Sequence, residues 1–256
     1  MTIPERWQCI ISGRLSGAAN METDMALAAA VQRGEMLPTL RLYGWNPWAV
    51  SLGYNQRAED IDRETCAGYG FDTVRRPTGG RAILHANELT YAVAMPADGA
   101  GITEIYSLIS RALVDGLSGI CAAVSYESSQ LNFQSLYKKQ ESIPCFSASA
   151  RYEVQIDGRK LVGSAQRRFT VPGLPEVVLQ HGSILLGTEH RLLAELLTVK
   201  EEEVRNKILS DIESKTIDLS TATGRTVTAE EAASAVIRGF ERTLGITVAS
   251  TIEAAL

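Results

Sequence analysis

The sequence predicts an α/β (α+β) fold, a mixed sheet with flanking helices. Three observations lead to this prediction. Short apolar runs bounded by glycine, proline and asparagine predict strands at 40–43, 49–52 and 89–95. Capping residues with an acidic first turn predict a helix at 21–33, and apolar residues three and four positions apart predict another from 103 to about 119. The last quarter of the chain has mainly helical patterns.

We interpret residues 1–256 as a single domain. The chain has 256 residues and 45% hydrophobic content, which is sufficient for one substantial core. Apolar periodicity at 189–197, 204–210 and 230–244 predicts a helical C-terminal part at about 188–256.

Capping residues mark the ends of two predicted helices. Asn20 is the expected N-cap of the first helix, because its side chain can accept a backbone hydrogen bond, and Gly34 is the expected stop. Thr228 and Glu231 form a capping box before the last helix, which Gly245 ends.

A β-hairpin is predicted around Asp157-Gly158, a pair that tolerates the positive φ angles of a type I′ turn. A two-residue turn places Gln155 opposite Lys160. Lys160 then shares one face with Glu153, Gln155, Val162 and Ser164, and Gly163 lies opposite Tyr152. A further strand pair is predicted at 177–181 and 183–186, on either side of Gly182.

The charge of the chain excludes some classes of partner. The net charge is −5, so no global positive field is present to hold a nucleic acid or an anionic membrane. Residues 1–8 lack an apolar signal core, and no run approaches the ~18 apolar residues of a membrane span. We therefore expect a cytoplasmic protein with no nucleic-acid or membrane partner.

The cysteine pattern predicts neither a zinc site nor a disulfide framework. The four cysteines lie far apart without CxxC spacing, and no group of histidine, cysteine and carboxylate residues has metal-ligand spacing. We expect no metal, and we expect most cysteines to be reduced and buried. The four are Cys9, Cys66, Cys121 and Cys145.

The segment from Arg75 to His85 is the strongest candidate for a ligand site. It combines paired arginines, Arg75 and Arg76, with the Gly79-Gly80 doublet in a loop between predicted strands. Glycines let backbone N–H groups approach a ligand, and guanidinium groups favour an anionic or polarised group. The alternative is a tight turn with two solvated arginines.

Cys145 is the candidate nucleophile, because it follows Pro144 after a polar stretch where a thiol can be accessible. A free thiol is mostly protonated at neutral pH and needs assistance. Lys160 could supply it. Opposite charges ~4 Å apart interact by up to ~4 kcal/mol near a surface, and lowering a pKa by one unit requires ~1.4 kcal/mol. A buried Cys145 and a solvated Lys160 are the alternatives.

The three histidines receive lesser roles. His85 has no carboxylate assigned from the sequence to orient it as a catalytic triad requires, so we predict a ligand contact or a structural hydrogen bond. His181 and His190 are interpreted as structural.

Three segments in this order resemble the lipoate-protein ligase and octanoyltransferase family: Arg75 to His85, Cys145-Phe146, and Gly158 to Gln166. The likeness extends from Asn20-Met21 to Leu179–Leu185. It implies a biotin/lipoate ligase-type catalytic core at about 34–248. One departure is Ala86, where the family usually has an acidic residue after the histidine; this weakens any pairing of His85 with a carboxylate.

Within the family, the chain is most similar to the cysteine-dependent octanoyltransferases of the LipM type. In that branch a cysteine before phenylalanine becomes an acyl thioester, and Cys145 and Lys160 match its cysteine and lysine. Arg81 stands where many ligases have a third glycine. The resemblance implies that Cys145 and Lys160 are catalytic. It also implies eight substrate-binding residues: Arg75, Arg76, Gly79, Gly80, His85, Gly163, Ser164 and Ala165.

The implied reaction is part of lipoate biosynthesis. An octanoyl group passes from acyl carrier protein to a lysine of a lipoyl domain or a glycine cleavage H-type protein, through a Cys145 thioester. Thioester exchange is nearly isoenergetic, so no ATP or other cofactor is expected. We expect a monomer whose basic residues attract acidic partners. These residues are Arg75, Arg76 and Arg81, joined by Lys138, Lys139, Arg167 and Arg168.

Three other functions stay open at this stage. An ATP-dependent lipoate-protein ligase would hold the phosphate with Arg75, Arg76 and the glycines, and would place Lys160 near the activated carboxylate. A lipoyl-protein amidotransferase would use the same cysteine and lysine. The third is a non-catalytic relative that binds an acyl protein or a cofactor.

Overall fold

The computed structural model describes residues 3–126 and 153–256. Its strands are β1 (Arg6–Leu15), β2 (Thr39–Trp45), β3 (Ala49–Leu52), β4 (Asp72–Arg75), β5 (Ile83–His85), β6 (Glu88–Pro96), β7 (Val124–Tyr126), β8 (Val154–Ile156), β9 (Arg159–Phe169), β10 (Val177–Leu185) and β11 (Thr247–Ala254). Its α-helices are α1 (Gly17–Gln32), α2 (Arg63–Gly68), α3 (Ile102–Leu117), α4 (Glu202–Lys215), α5 (Leu219–Thr223) and α6 (Ala229–Leu244), with 3₁₀ helices at Ala58–Asp60 and Glu189–Leu196.

The strands form two sheets, and both are mixed. The main sheet has the order β11-β1-β2-β6-β10-β9-β8-β7, and the small sheet has the order β4-β3-β5. In the main sheet β1 pairs in parallel with β2 and β11, and the other neighbours pair antiparallel. The predicted mixed α/β fold is confirmed.

Helices cover both faces of the main sheet. Because side chains alternate along a strand, neighbouring residues of β6 enter different cores. Tyr91 and Val93 pack in the core that includes Ile105 of α3 and Phe240 of α6. Ala92 packs in the smaller core under α1. The α1 face is the one that carries the candidate site.

The first helix begins earlier than predicted. Ser16 is its N-cap and accepts a hydrogen bond from the backbone N–H of Ala19, so the cap prediction at Asn20 is wrong. Asn20 lies inside the helix and is fully buried. Its side-chain amide donates to Gly44 O at 3.0 Å, which ties α1 to β2. Asparagine is favoured both as an N-cap and as a buried amide that binds a backbone carbonyl. The sequence alone therefore did not distinguish these two roles.

Two predictions at the C-terminal side were also wrong. Gly182 does not separate two strands, because β10 runs without a break from Val177 to Leu185. A Cβ atom on Gly182 would lie 2.5 Å from Gly163 O, so close strand packing selects this glycine. The part expected to be helical ends in β11, which lies parallel to β1. The Thr228 cap and the stop at Gly245 are confirmed.

The hairpin between β8 and β9 contains a bulge that the sequence pattern did not reveal. Asp157 and Gly158 have φ angles of 50° and 75°, and Gln155 pairs with Lys160, both as predicted. Val154, however, pairs with Val162, so β9 has one extra residue, at Leu161. Tyr152 lies outside the described residues.

The bulge changes which residues of β9 share a face with Lys160. Val154 and Val162 pack in the core under α3, so Gln155 and its partner Lys160 lie on the other face. Gly163 follows Val162 and shares that face. Lys160 therefore does not share a face with Val162 and Ser164, as predicted, but with Gly163 and Ala165.

Candidate active site

A narrow cleft with an empty volume of about 350 Å³ opens on the α1 face of the main sheet. Neighbouring strands β9 and β10 supply one wall, where Gly163 pairs with Ser183 and Ala165 with His181. The opposite wall comes from α1, β2 and the small sheet. The lining residues are Met21, Tyr43, Trp45, Arg76, Ile83, His85, Thr90, Gly163, Ser164, Ala165, His181, Gly182 and Ser183.

Five of the predicted site residues meet in this cleft: Arg76, His85, Gly163, Ser164 and Ala165. They come from two of the three segments that carry the family resemblance, 75–85 and 158–166. Arg75, Gly79 and Gly80 are absent from the lining, and both glycines are exposed. Cys145 lies outside the described residues.

Lys160 is a buried ammonium group on the cleft face of the sheet. Its exposed fraction is 7%, and its Nζ donates to Oε1 of Glu153, which is 5% exposed. The alternative of a solvated lysine is therefore wrong. A buried charge needs a partner of opposite sign, and Glu153 provides it. The sequence placed these two residues on one face, but nothing in it indicated an ion pair.

The paired arginines shape the loop that they precede. Arg76 is 3% exposed and donates from Nη1 to Ser51 O at 3.0 Å and from Nη2 to Gly79 O at 2.8 Å and Arg81 O at 2.7 Å. Arg75 donates to the carbonyls of residues 53, 54 and 56 at 2.7–3.0 Å. Both guanidinium groups thus hold backbone carbonyls in place. Because Arg76 is buried, the alternative of a tight turn with two solvated arginines is wrong for this residue.

His85 has a carboxylate partner, contrary to the expectation from the sequence. Its Nδ1 lies 2.8 Å from Oε1 of Glu88, and its Nε2 lies 2.7 Å from Oγ of Ser51. His85 ends β5 and Glu88 begins β6, and the tight turn between them brings the side chains together. The signal was a histidine and a glutamate on either side of a two-residue turn.

A hydrogen-bond chain fixes the orientation of the His85 ring. Nε1 of Trp45 donates to Oγ1 of Thr90 at 2.7 Å, and Oγ1 of Thr90 donates to Oε1 of Glu88 at 2.6 Å. An ionised carboxylate only accepts, so Nδ1 of His85 carries a hydrogen. Trp45 also stacks on the imidazole, with 3.9 Å between ring centroids and 14° between planes. Trp45 packs in the core under α1 and also lines the cleft.

A second buried network holds the opposite end of the cleft. His181 lies with Nδ1 3.0 Å from Oδ2 of Asp24 and Nε2 2.6 Å from Oγ1 of Thr78. Asp24 also accepts from Arg41 at 2.8 Å and from the Tyr43 hydroxyl at 2.8 Å. Burial, with the nearby Asp24 charge, raises the pKa of Tyr43 well above its ordinary value. The network joins α1, the sheet and the 76–82 loop.

Outside the cleft, the described cysteines partly match the expectation. Cys9 and Cys66 are fully buried, and burial raises the pKa of the Cys66 thiol. Cys121 is half-buried. No three histidine, cysteine or carboxylate side chains within residues 3–126 and 153–256 are arranged to hold a metal ion. Over the same ranges, no helix has the length and apolar character to cross a membrane.

Comparisons with known proteins agree on one family. The family model described as the lipoyl protein ligase A/B catalytic domain matches residues 16–241. Octanoyltransferase LipM of Anoxybacillus flavithermus is 39% identical over 249 residues, covering 94% of this chain and 87% of that protein. The Bacillus subtilis protein of the same name is 37% identical with the same coverage.

Similar folds occur among solved structures. A bi-partite lipoate protein ligase from Thermoplasma acidophilum superposes with a TM-score of 0.74 and 24% identity, covering 97% of this chain and 88% of that one. At this level of identity the likeness concerns the fold alone.

Proposed function

The chain belongs to the lipoyl protein ligase A/B catalytic domain family and is an acyltransferase, and from this premise we propose that it transfers octanoyl groups. The donor in this proposal is octanoyl acyl carrier protein. The acceptor is a lysine of a lipoyl domain or a glycine cleavage H-type protein. The observation that carries the proposal is the similarity, over nearly the whole chain, to proteins named octanoyltransferase LipM.

The geometry of the described residues supports a site for an acyl thioester. Gly163 and Ala165 leave a wall without large side chains, so an acyl chain can approach the backbone of β9. Lys160 lies on the same face of β9 and is one of the two catalytic residues of the proposal. Arg76, His85 and Ser164 complete the proposed substrate contacts in the cleft.

The first step forms the acyl-enzyme. The Cys145 thiolate attacks the carbonyl carbon of the donor thioester, a new C–S bond forms, and the donor C–S bond breaks. The donor thiolate leaves and takes a proton from solvent. Because one thioester replaces another, the step needs no nucleotide. The Lys160 ammonium would favour the thiolate form of Cys145.

The second step transfers the acyl group to the acceptor. The neutral amine of the target lysine attacks the carbonyl carbon of the acyl-enzyme, and a C–N bond forms as the C–S bond breaks. The Cys145 thiolate is regenerated, and the nitrogen loses its extra proton to solvent. In this proposal the enzyme is a cytoplasmic monomer that needs no cofactor.

The test is mass spectrometry after incubation with octanoyl acyl carrier protein and no nucleotide. We expect one octanoyl adduct on the peptide that contains Cys145, and its loss when a lipoyl domain is added. Cys145→Ala should abolish both the adduct and the transfer. Cys121→Ser is the matched control, because Cys121 is the half-buried cysteine among the described residues, and it should retain both.

Each contrary outcome points to a different function. Transfer that requires ATP and free lipoate would replace the proposal with a ligase. Transfer only from an octanoylated lipoyl protein would replace the donor and indicate an amidotransferase. An intact, folded protein that forms no adduct and transfers from neither donor would indicate a binding relative.

A further inference from the structure

The rim of the cleft carries an exposed aromatic ring framed by arginines. Tyr54 is 52% exposed, and its backbone N–H donates to Thr78 O at 2.9 Å, which holds it against the loop after Arg76. The guanidinium of Arg167 lies 4.6 Å from the centroid of the Tyr54 ring. Arg75 donates to Tyr54 O, and Arg57 is exposed in the same loop. We name Tyr54, Arg57, Arg75 and Arg167 the Tyr54 platform.

The platform is held in place before any partner binds. Arg167 also donates to Pro77 O at 3.0 Å and stacks on Phe169, so its guanidinium is fixed above the tyrosine. Gly53 lies against the Gly80 backbone so closely that a Cβ atom there would lie 2.0 Å from Gly80 O. Tyr54 is exposed and Arg167 is half-buried. A tyrosine and an arginine with little remaining freedom lose little entropy on binding, which is typical of residues that dominate protein interfaces.

The charge of the platform is opposite to that of the whole chain. Residues 53–60, 75–81 and Arg167 contain five arginines and two carboxylates, Glu59 and Asp60, which leaves a local charge of +3. The net charge of the chain is −5. Glu59 lies 3.8 Å from Arg57, and both side chains are more than 70% exposed, so solvent screens this pair. The platform would therefore attract an acidic protein, whereas the net charge of the whole chain repels it.

The platform also leads directly to the cleft. Arg167 and Ala165 are two positions apart on β9, so their side chains lie on one face about 7 Å apart along the strand. Ala165 lines the cleft. A protein seated on Tyr54 and Arg167 could thus place a tethered group beside Ala165 and Gly163.

We propose that the Tyr54 platform is the docking surface for an acidic carrier protein that delivers the acyl thioester. This inference rests on the proposed function, and it adds the residues that select a protein-bound donor over a free one. The docking residues contact the carrier and not the reacting atoms. Their loss should therefore weaken the use of the carrier-bound donor and leave a small donor unaffected.

The experiment compares two donors in steady-state transfer, octanoyl acyl carrier protein and the neutral octanoyl-N-acetylcysteamine thioester. The variants are Tyr54→Ser, Arg57→Glu and the control Arg238→Glu, an exposed arginine on α6, which covers the other face of the sheet. We expect KM for the carrier-bound donor to rise at least about fivefold in the first two variants, with kcat unchanged. Their KM for the small donor, and both values for Arg238→Glu, should match the unaltered protein. Raising the salt concentration should reduce the difference in KM for the carrier-bound donor between the platform variants and the unaltered protein.

Several results would overturn the docking proposal. One is an unchanged KM for the carrier-bound donor in both platform variants, and another is an equal loss with both donors. A rise confined to the KM of the acceptor domain would show that the platform holds the acceptor instead. Direct titration of fluorescently labelled acyl carrier protein separates docking from chemistry. If neither donor supports transfer, the proposed function fails, but weaker binding by Tyr54→Ser and Arg57→Glu would still support the docking surface, and equal binding would refute it.

Discussion

Nδ1 of His85 lies 2.8 Å from Oε1 of Glu88, and this contact sets the plane of the imidazole at the wall of the cleft. The same carboxylate oxygen accepts from Thr90, and the ring packs against Trp45. Glu88 therefore replaces, from a position three residues away, the acidic neighbour that Ala86 does not provide. The side chain of Glu88 is 1% exposed, so its hydrogen bonds are not replaced by solvent when it is removed.

Glu88→Ala should destabilise the protein by roughly 1–3 kcal/mol, because it leaves the buried donors of His85 and Thr90 without their acceptor. Glu88→Gln keeps an acceptor oxygen and should cost less. Urea unfolding followed by circular dichroism measures both. Glu5→Ala, at an exposed position, should change the free energy of unfolding by less than about 0.5 kcal/mol. Equal stability of Glu88→Ala and Glu5→Ala would contradict the role of this network.

Lys160→Ala should slow alkylation of Cys145 by iodoacetamide at neutral pH. If the ammonium lowers the thiol pKa by one unit, its removal reduces the thiolate fraction about tenfold. The variant is combined with Glu153→Gln so that no unpaired carboxylate is left buried. Lys200→Ala, which is exposed, serves as the control. Peptide mass spectrometry separates Cys145 from Cys121, and an unchanged rate at Cys145 would assign Lys160 a different role.

Asp24→Ala should be strongly destabilising, by about 3–5 kcal/mol. Asp24 and Arg41 form an ion pair at 2.8 Å with both side chains 0% exposed, so the variant leaves an unpaired buried charge. Glu22→Ala lies on the exposed side of the same helix and is the matched control. Thermal and urea unfolding of the two variants give the comparison. A loss below about 1 kcal/mol for Asp24→Ala would show that water or a side-chain movement compensates Arg41.

His190 should make the stability of the protein depend on pH. It is 3% exposed, and burial lowers its pKa, so the folded state binds a proton less readily than the unfolded state. The free energy of unfolding should therefore be greatest above the ordinary histidine value of about 6.5 and should fall as the pH decreases below it. His190→Gln should reduce this fall. Urea unfolding between pH 5 and 8 measures it, and identical pH profiles for the two proteins would refute the prediction.

Much of the fold follows from local patterns, and the departures have a common physical cause. The sequence patterns located α1, α3 and α6 and strands β2, β3 and β6, but not β1, and the helix predicted at 189–197 is a 3₁₀ helix. Asp157-Gly158 and Thr228 act as predicted because their roles depend on neighbouring residues only. Asn20 and Gly182 were misassigned because each is selected by a distant contact, with Gly44 and Gly163 respectively. A single sequence contains no direct record of such contacts.

The candidate site, like the fold, was predicted only in part from the sequence. Residues with distinctive chemistry, such as His85 and Gly163, indicated where the cleft would lie, whereas the Gly79-Gly80 doublet lies outside its lining. Their partners did not, because Glu88 and Ser51 are ordinary residues until the small sheet folds against β6. For the paired arginines, the residue type suggested an anionic ligand, but a guanidinium group can equally well donate to backbone carbonyls, as Arg75 and Arg76 do.

The extra residue at Leu161 has a consequence for redesigning this strand. Removing Leu161 itself would restore a regular ladder and leave Lys160 opposite Gln155, with its amine still on the face of the cleft. Removing Arg159 instead would place Lys160 opposite Ile156, and its amine would then enter the hydrocarbon interior beneath α3. An engineered hairpin can therefore be shortened at position 161, but not at position 159, if this lysine is to stay on the ligand side.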